Sequence, residues 1–246
     1  METAAKKIEK PKGKGFYLSK KVGKAIMDYQ MISPTDRILV AVSGGKDSFV
    51  LLKILRDRLS FSPVKYDLLA AHIDLMIDSR ISNVLKDYFE KNGYNYYIEK
   101  LDLFKNNSES KIDCFWCSWN RRKILFQIAG RFNCNKVALG HHMDDIVETI
   151  LLNLFFNGEI SAMSPIQSLF EGKLTIIRPL AYVEEREIVS FYRNEDFPKF
   201  SYHCPHAKDS QRGYIKKIIK GLEYICPDVK INIFRAIKRI KKDYLL

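Results

Sequence analysis

The apolar positions of this chain fall into short continuous runs set between longer stretches of helical periodicity. Arg37-Ile38-Leu39-Val40-Ala41-Val42 and Tyr66 to Ile73 are runs of the kind that form strands buried on both faces of a parallel sheet. Tyr94 to Glu99, Lys136 to Leu139 and Thr175 to Pro179 predict three further strands. Between and after them, Phe49 to Leu59, Ser79 to Asn92, Ser118 to Phe132, Asp144 to Phe156 and Glu184 to Asn194 read as helices, with Gly158 stopping the fourth. Tyr17 to Ile32 predicts a leading helix with Val22, Ile26 and Met27 on one face, closed by Ser33-Pro34. Tyr214 to Tyr224 and Val229 to Lys242 predict two basic helices at the end. Strands alternating with helices at this spacing predict an α/β fold with a doubly wound, mostly parallel sheet, in which ligands sit at the carboxyl ends of strands. Three parts are expected: a basic N-terminal arm and helix over 1–33, the α/β domain over 34–205, and basic C-terminal helices over 206–246.

Composition adds constraints to this picture. A chain of 246 residues can bury a sizeable core without cross-links. Its 46% hydrophobic and 28% charged residues are ordinary for a soluble protein, and no apolar run is long enough to span a bilayer, so no membrane partner is expected. Met1 to Gly15 carries lysines without the apolar core of a secretory signal, which predicts a cytoplasmic protein with reduced thiols. Five cysteines is an odd count in such a compartment. Cys114 and Cys117, a C-x-x-C pair, therefore read as metal, cluster or redox ligands, and Cys134 and Cys226 as small apolar fillers. The net charge of +12 is concentrated at the two ends. That points to a polyanionic partner, against the plainer reading of a solvated surface.

The chemistry begins where the first strand ends. In Ser43-Gly44-Gly45-Lys46-Asp47-Ser48, two glycines let the backbone curl so that its N–H groups converge on an anion, and the following helix adds a favourable partial charge. Lys46 supplies a full positive charge, Ser43 and Ser48 hydroxyl donors, and Asp47 a carboxylate able to position a magnesium ion, Mg2+. Val40 stands where a Walker A loop has glycine, so the loop is a different phosphate binder. Leu139-Gly140-His141-His142-Met143-Asp144-Asp145 follows another strand at the same sheet edge. Helix capping accounts for one of its acids, leaving His141, His142, Asp144 and Asp145 with enough polar groups to bind magnesium or meet a nucleotide. With the distant Cys204, Cys114 and Cys117 give three thiolates, enough for a [4Fe-4S] cluster with one iron open to sulfide. With His206 added they match a Cys₃His zinc site, and Cys114 and Cys117 alone match a persulfide or redox pair.

Ser-Gly-Gly-x-Asp-Ser after a first strand resembles the PP-loop ATP pyrophosphatases, a HUP/Rossmann-like superfamily that splits ATP between its α and β phosphates. The Gly-His-His-x-Asp-Asp segment, Arg178-Pro179-Leu180 and the cysteines narrow the likeness. From Leu18 to Asp209 the chain looks like the TtcA-type tRNA 2-thiocytidine synthetases. The resemblance implies that 34–205 is the PP-loop domain, and that ATP is bound by Ser43, Gly44, Gly45, Lys46, Asp47, Ser48, Asp74, Gly140, His141, Asp144 and Asp145. His72, beside Asp74, is divided between adenosine contact and a structural role. Lys46, Asp47, Cys114, Cys117 and Cys204 carry the catalysis, with a [4Fe-4S] cluster on the three cysteines; Ala207 stands where many relatives have another cysteine. The implied reaction is adenylation of a pyrimidine carbonyl of tRNA, 2-thiocytidine formation at position 32, and release of AMP and pyrophosphate. The base would be unstacked from a single-stranded loop. Arg121, Arg122 and Lys123 are candidates to hold the RNA, a sulfur donor such as a cysteine desulfurase is implied, and a homodimer is open. The rival readings are a lysidine-type tRNA ligase, a thiouridine-forming relative with two zinc fingers, which five cysteines cannot furnish beside a cluster, and a non-catalytic RNA-binding protein with a structural zinc.

Overall fold

A computed structural model describes residues 13–76, 79–101, 114–199 and 211–244. Six strands, β1 (Arg37–Ala41), β2 (Asp67–Asp74), β3 (Tyr96–Lys100), β4 (Lys136–Ala138), β5 (Ile166–Leu169) and β6 (Leu174–Ile177), form one sheet in the order β3-β2-β1-β4-β6-β5. Every neighbouring pair is parallel except β5 with β6. The chain runs outward from β1 to β2 and β3, then returns to place β4 on the other side of β1. The strand order therefore reverses between β1 and β4, and a crevice opens at their carboxyl ends.

The apolar run of β1 is continuous because both of its faces are covered. Ile38 and Val40 face one core cluster, shared with Leu18, Val22 and Ala25 of α1 (Lys14–Asp28), Phe49 to Leu55 of α2 (Lys46–Arg58) and Ile188 of α6 (Glu185–Asn194). Leu39 faces a second, with Val137 and with Ile128 and Ala129 of α4 (Cys114–Arg131). Helix α3 (Ser79–Asn92) adds Leu85 and Phe89 to the first cluster. On α5 (Met143–Leu152), the four-residue spacing of Met143, Val147 and Leu151 makes a stripe that meets Ile215 and Ile219 of α7 (Gln211–Ile225). Ile146 and Ile150, on the adjoining stripe, meet Ile233 and Phe234 of α8 (Val229–Ala236). Both basic C-terminal helices are thereby docked on α5.

The differences from the sequence reading have local causes. Helix α1 starts earlier and stops at Asp28, where Gln30 turns left-handed at φ 50°; Met31 and Ile32 are buried beyond it. Its inner face is Leu18, Val22 and Ala25, and Met27 is 77% exposed. Helix α4 begins at Cys114, so the C-x-x-C spacing lies in its first turn rather than before it. Helix α5 runs on as a π-type segment, Asn153–Asn157, capped by Gly158 as expected. Helix α8 ends at Ala236, because the residues after Ile237 are mostly basic and offer no apolar stripe. Strand β5 is an addition to the predicted set: its burial is slight, and its pairing depends on a left-handed turn through Phe170, Glu171 and Gly172.

Phe49, the fourth residue of α2, is fully buried, and its ring lies 5.2 Å from Tyr88, 5.5 Å from Phe197 and 6.5 Å from Tyr192. It joins α2 to α3 and α6 directly behind the loop that precedes α2. Phe49→Ala should cost about 3–5 kcal/mol of unfolding free energy, measured by urea titration; a loss under about 1 kcal/mol would show that the aromatic cluster does not anchor α2.

Candidate functional site

Four residues, Val42 to Gly45, separate the end of β1 from the start of α2, and the sequence of that turn determines its shape. Gly44 adopts φ 88°, a conformation other residues rarely reach. Ser48 donates its hydroxyl proton to Gly45 O at 2.8 Å and accepts the Ser43 N–H at 3.2 Å, while Ser43 Oγ accepts the Gly45 N–H at 3.3 Å. The Ser48 hydroxyl is therefore engaged inside the loop. The first N–H groups of α2 have no partners within the helix and form an anion-binding end.

The end of β4 rests against this turn. A Cβ on Gly140 would lie 3.1 Å from the Asp47 carbonyl carbon and 3.2 Å from the Ser48 nitrogen, tighter than an ordinary contact, so glycine suits so close an approach. His142 then caps α5, its N–H donating to Asp145 Oδ2 at 3.0 Å. The buried His142 ring stands among three carboxylates: Nδ1 is 3.6 Å from Asp144 Oδ2, and Nε2 is 3.4 Å from Asp145 Oδ2 and 3.8 Å from Asp47 Oδ1. Burial opposes its charge, but the carboxylates outweigh that and raise its proton affinity. Burial pushes the Asp47 carboxyl up despite Lys46 and His142, and Asp47 Oδ1 is buried with no hydrogen-bond donor.

Lys46 reaches Glu185 Oε1 at 2.9 Å and Asp47 Oδ2 at 3.3 Å. Burial works against its charge, yet these carboxylates hold its proton affinity above that of an ordinary lysine. Asp144 is turned away from the loop. It accepts the Glu185 N–H at 2.7 Å and pairs with Lys230 at 2.7 Å. Burial opposes its charge, but His142, Lys230 and that N–H keep its carboxyl well below the usual range. Glu148, one turn further along α5, is buried against Arg212 at 3.4 Å and Lys216 at 3.6 Å, and burial pushes its carboxyl up. Three C-terminal cations, Arg212, Lys216 and Lys230, are thus spent on interior carboxylates. Sequence reasoning missed Glu148, Glu185 and Lys230, which gather here from helices far apart in the chain.

Beside the loop lies a cavity of about 300 Å³, at the small end of ligand sites. Val42 to Gly45 form one wall, Ala71 to Leu75 another, Ile81 and Ser82 of α3 a third, and Arg121 and Leu125 of α4 the last. His72 is buried on this wall, its Nδ1 2.7 Å from the Val42 carbonyl, which ties β2 to the start of the loop. Burial lowers its proton affinity, so the neutral ring donates from Nδ1. Asp74 is buried at the end of β2, with Oδ1 accepting the Met76 N–H at 2.8 Å. Arg178 donates from Nε to His141 Nδ1 at 3.2 Å and bonds the Ser164 carbonyl. The loop, His72, Asp74, Gly140, His141, His142 and Asp145 therefore come together at one sheet edge. Cys204 and His206 lie outside the described residues, as do the side chains of Cys114 and Cys117. Cys134 is buried as expected, and Cys226 is half-buried.

A parallel sheet with this loop at its switch point, packed on a Gly-His-His-x-Asp-Asp turn, defines a PP-loop nucleotide-binding domain. The sequence pattern of the PP-loop domain matches residues 17–220. The chain is 40% identical over 236 residues to the tRNA-cytidine(32) 2-sulfurtransferase of Geotalea uraniireducens, covering 93% of each. It is 42% identical to that of Geobacter sulfurreducens, covering 92% of this chain and 90% of the relative. The chain belongs to the PP-loop family of tRNA-cytidine(32) 2-sulfurtransferases. The fold is shared by the U34-tRNA thiolase NcsA of Methanococcus maripaludis, solved with its [4Fe-4S] cluster (TM-score 0.76, 22% identity, 91% of this chain and 77% of that one). It is also shared, more distantly, by the NH3-dependent NAD synthetase of Campylobacter jejuni (TM-score 0.51, 14% identity, 95% of each chain).

His141 supplies a test of the site's electrostatics. Burial, then Arg178, lowers its pKa from 6.5 to about 4. As pH falls from 6.5 toward 4 the unfolded chain takes up this proton first, so the residue subtracts stability across that window. The drop in unfolding free energy between pH 7 and pH 5 should be about 2 kcal/mol smaller in His141→Asn than in the parent. Parallel curves for the two proteins in urea titrations would refute the assignment.

Proposed function

We infer that the chain is an ATP-dependent tRNA thiolase, which adenylates the C2 oxygen of cytidine 32 and then replaces that oxygen with sulfur. The observation that carries this reading is the register of α4. Arg121 and Leu125 line the cavity beside the phosphate loop, and positions 117 and 114 continue the same helical register toward its first turn. Nucleotide cavity and C-x-x-C pair thus share one helix. Relatives matching more than nine-tenths of the chain are named for this reaction.

A pyrimidine carbonyl oxygen is a poor leaving group, so it must first be adenylated. The base oxygen attacks the α-phosphorus of ATP, a new P–O bond forms, and the α–β bridging bond breaks to release pyrophosphate. Lys46 and the N–H groups opening α2 stabilise the charge that builds on the departing group. Among the described residues no set of three or more His, Cys, Asp or Glu side chains is grouped to hold a metal ion. Magnesium would be held between the phosphates and Asp47, whose Oδ1 has no hydrogen-bond donor. His142 offsets the carboxylates around it, which would otherwise repel an anionic substrate. Cys114, Cys117 and Cys204 are the residues that would hold a [4Fe-4S] cluster, and such a cluster would supply the sulfur of the product. A donor such as a cysteine desulfurase, with a two-electron reductant to bring its persulfide sulfur to the sulfide level, would replenish that sulfur in the cytoplasm.

The reaction has a direct test. Lys46→Ala should lower tRNA-dependent pyrophosphate release roughly 10²–10³-fold, the effect of losing one donor to a developing anion. Protein purified without oxygen should contain about four irons per chain. Stoichiometric zinc without iron, or undiminished release by Lys46→Ala, would overturn the reading.

The docked C-terminal helices sharpen the prediction for RNA. Lys217 and Lys220 are exposed on α7, with no ion pair among the described residues, whereas Arg212 and Lys216 hold Glu148. Replacing Lys217 and Lys220 by Ala should weaken tRNA binding and reduce its salt slope by roughly 0.7–0.9 for each phosphate no longer neutralised. Replacing Arg212 and Lys216 should chiefly lower thermal stability, since it strands a buried carboxylate. Binding titrations at several salt concentrations, read beside melting curves, check both outcomes.

A further inference from the structure

Lys46 is the cation the phosphate loop offers, and a carboxylate from another element already holds it. Glu185 Oε1 lies 2.9 Å from Lys46 Nζ, and Glu185 Oε2 lies 4.0 Å from Lys216 Nζ of α7. The carboxylate thus stands between two ammonium groups, close to one and at the limit of reach of the other. Its backbone is fixed separately, through the N–H donated to Asp144 at 2.7 Å. Nor does its side chain cap α6, where Glu187 accepts the Glu184 N–H at 3.0 Å. The side chains of Lys46 and Glu185 are 30% and 35% exposed, so an incoming anion can reach the pair.

We propose that Glu185 is a positioning residue for the phosphate loop: it holds Lys46 while no phosphate is bound, yields it to the phosphates of ATP, and reclaims it as pyrophosphate leaves. This rests on the reading of the loop as an ATP site. A polyphosphate carries more charge than one carboxylate and also accepts the N–H groups that open α2, so it wins Lys46. Lys216 gives the released carboxylate a second partner, which keeps the exchange from stranding a half-buried charge. On the return, Glu185 competes with pyrophosphate for the same ammonium and so favours product release. Without it, Lys46 would hold substrate and product alike more tightly.

The test uses the full-length protein and compares wild type with Glu185→Gln, Glu185→Asp, Lys46→Ala and the Lys46→Ala/Glu185→Gln double variant. Calorimetry measures binding of ATP, inorganic pyrophosphate and adenosine, and product inhibition is measured with added pyrophosphate. Glu185→Gln should bind ATP and pyrophosphate about three- to tenfold more tightly, the scale of one partly exposed ion pair. It should be inhibited by correspondingly less pyrophosphate and bind adenosine as wild type does. Glu185→Asp, one methylene short of Lys46, should show a smaller gain in the same direction, and Glu185→Gln should add nothing once Lys46 is Ala. Unchanged or weaker pyrophosphate binding by both Glu185 variants, or a gain that persists without Lys46, overturns the exchange. Wild type binding ATP while the Glu185 variants match it overturns the exchange alone. Wild type failing to bind ATP overturns the nucleotide reading and the exchange together.

Discussion

The approach of Gly140 to the backbone of Asp47 and Ser48 is the contact on which the rest of the site depends. Strand β4 pairs with β1 in the register Leu39 to Val137 and Val40 to Ala138, so the two strands end level with each other at the sheet's carboxyl edge. The phosphate loop continues from β1, and the turn that carries His141 and His142 continues from β4. A side chain at Gly140 would press its Cβ on the Asp47 and Ser48 backbone, forcing the two turns apart by a few tenths of an ångström and disturbing the spacing of His142 from Asp47, Asp144 and Asp145. The glycine thus acts through backbone packing, and its effect is to fix the distance between the two halves of a charged cluster.

That cluster is stable because its charges alternate. Asp47, Lys46, Glu185, Lys216, Glu148 and Arg212 succeed one another across α2, α6, α7 and α5, and Asp144 is met by Lys230 from α8. Each carboxylate is partly or wholly withdrawn from water, where an unpaired charge would cost several kcal/mol. The apolar stripes that dock α7 and α8 on α5 therefore do two things at once. They bury Ile215, Ile219 and Phe234 against α5, and they deliver the cations that make an acidic sheet edge tolerable. An acidic edge kept neutral in this way can still accept an anionic nucleotide.

Much of this is legible along the chain, and the limits of legibility come from distance. The β1 run, the loop and the Gly-His-His-x-Asp-Asp turn are local patterns, and the sheet that unites them follows from alternation of strands and helices. In sequence Glu185 is one acid among several at a helix start, because its partner Lys46 is far upstream and only the packing of α6 beside α2 brings them together. Arg212, Lys216 and Lys230 belong, by position alone, to a basic C-terminus that suggests a surface for polyanions. Charge counts cannot separate a lysine facing a buried glutamate from one facing water. Strand β5 is invisible in sequence because half of its residues are exposed and its pairing is fixed by a turn, not by an apolar run. His72 is divided between adenosine contact and a structural role by its sequence position; the bond to Val42 is structural, and the same residue lines the cavity wall.

Helix α4 carries both the cavity-lining Arg121 and Leu125 and the C-x-x-C positions on one element. Arg121 lies four residues after position 117, which on an α-helix is about 6 Å along the axis and just over one full turn. A group held at the first turn of α4 is therefore separated from the cavity wall by little more than the length of a nucleobase, with no hinge between them. Ile128 and Ala129, further along the same helix, are fully buried against Leu39 of β1, the strand that ends in the phosphate loop. The helix cannot slide without repacking that core, and a core packed at this density resists small displacements. The separation between loop and first turn is consequently set by the hydrophobic packing of the sheet. On the proposed reading, an adenylated base reaching from the loop toward α4 would meet a fixed geometry, the condition under which a short-lived activated intermediate is captured by a nucleophile before water reaches it.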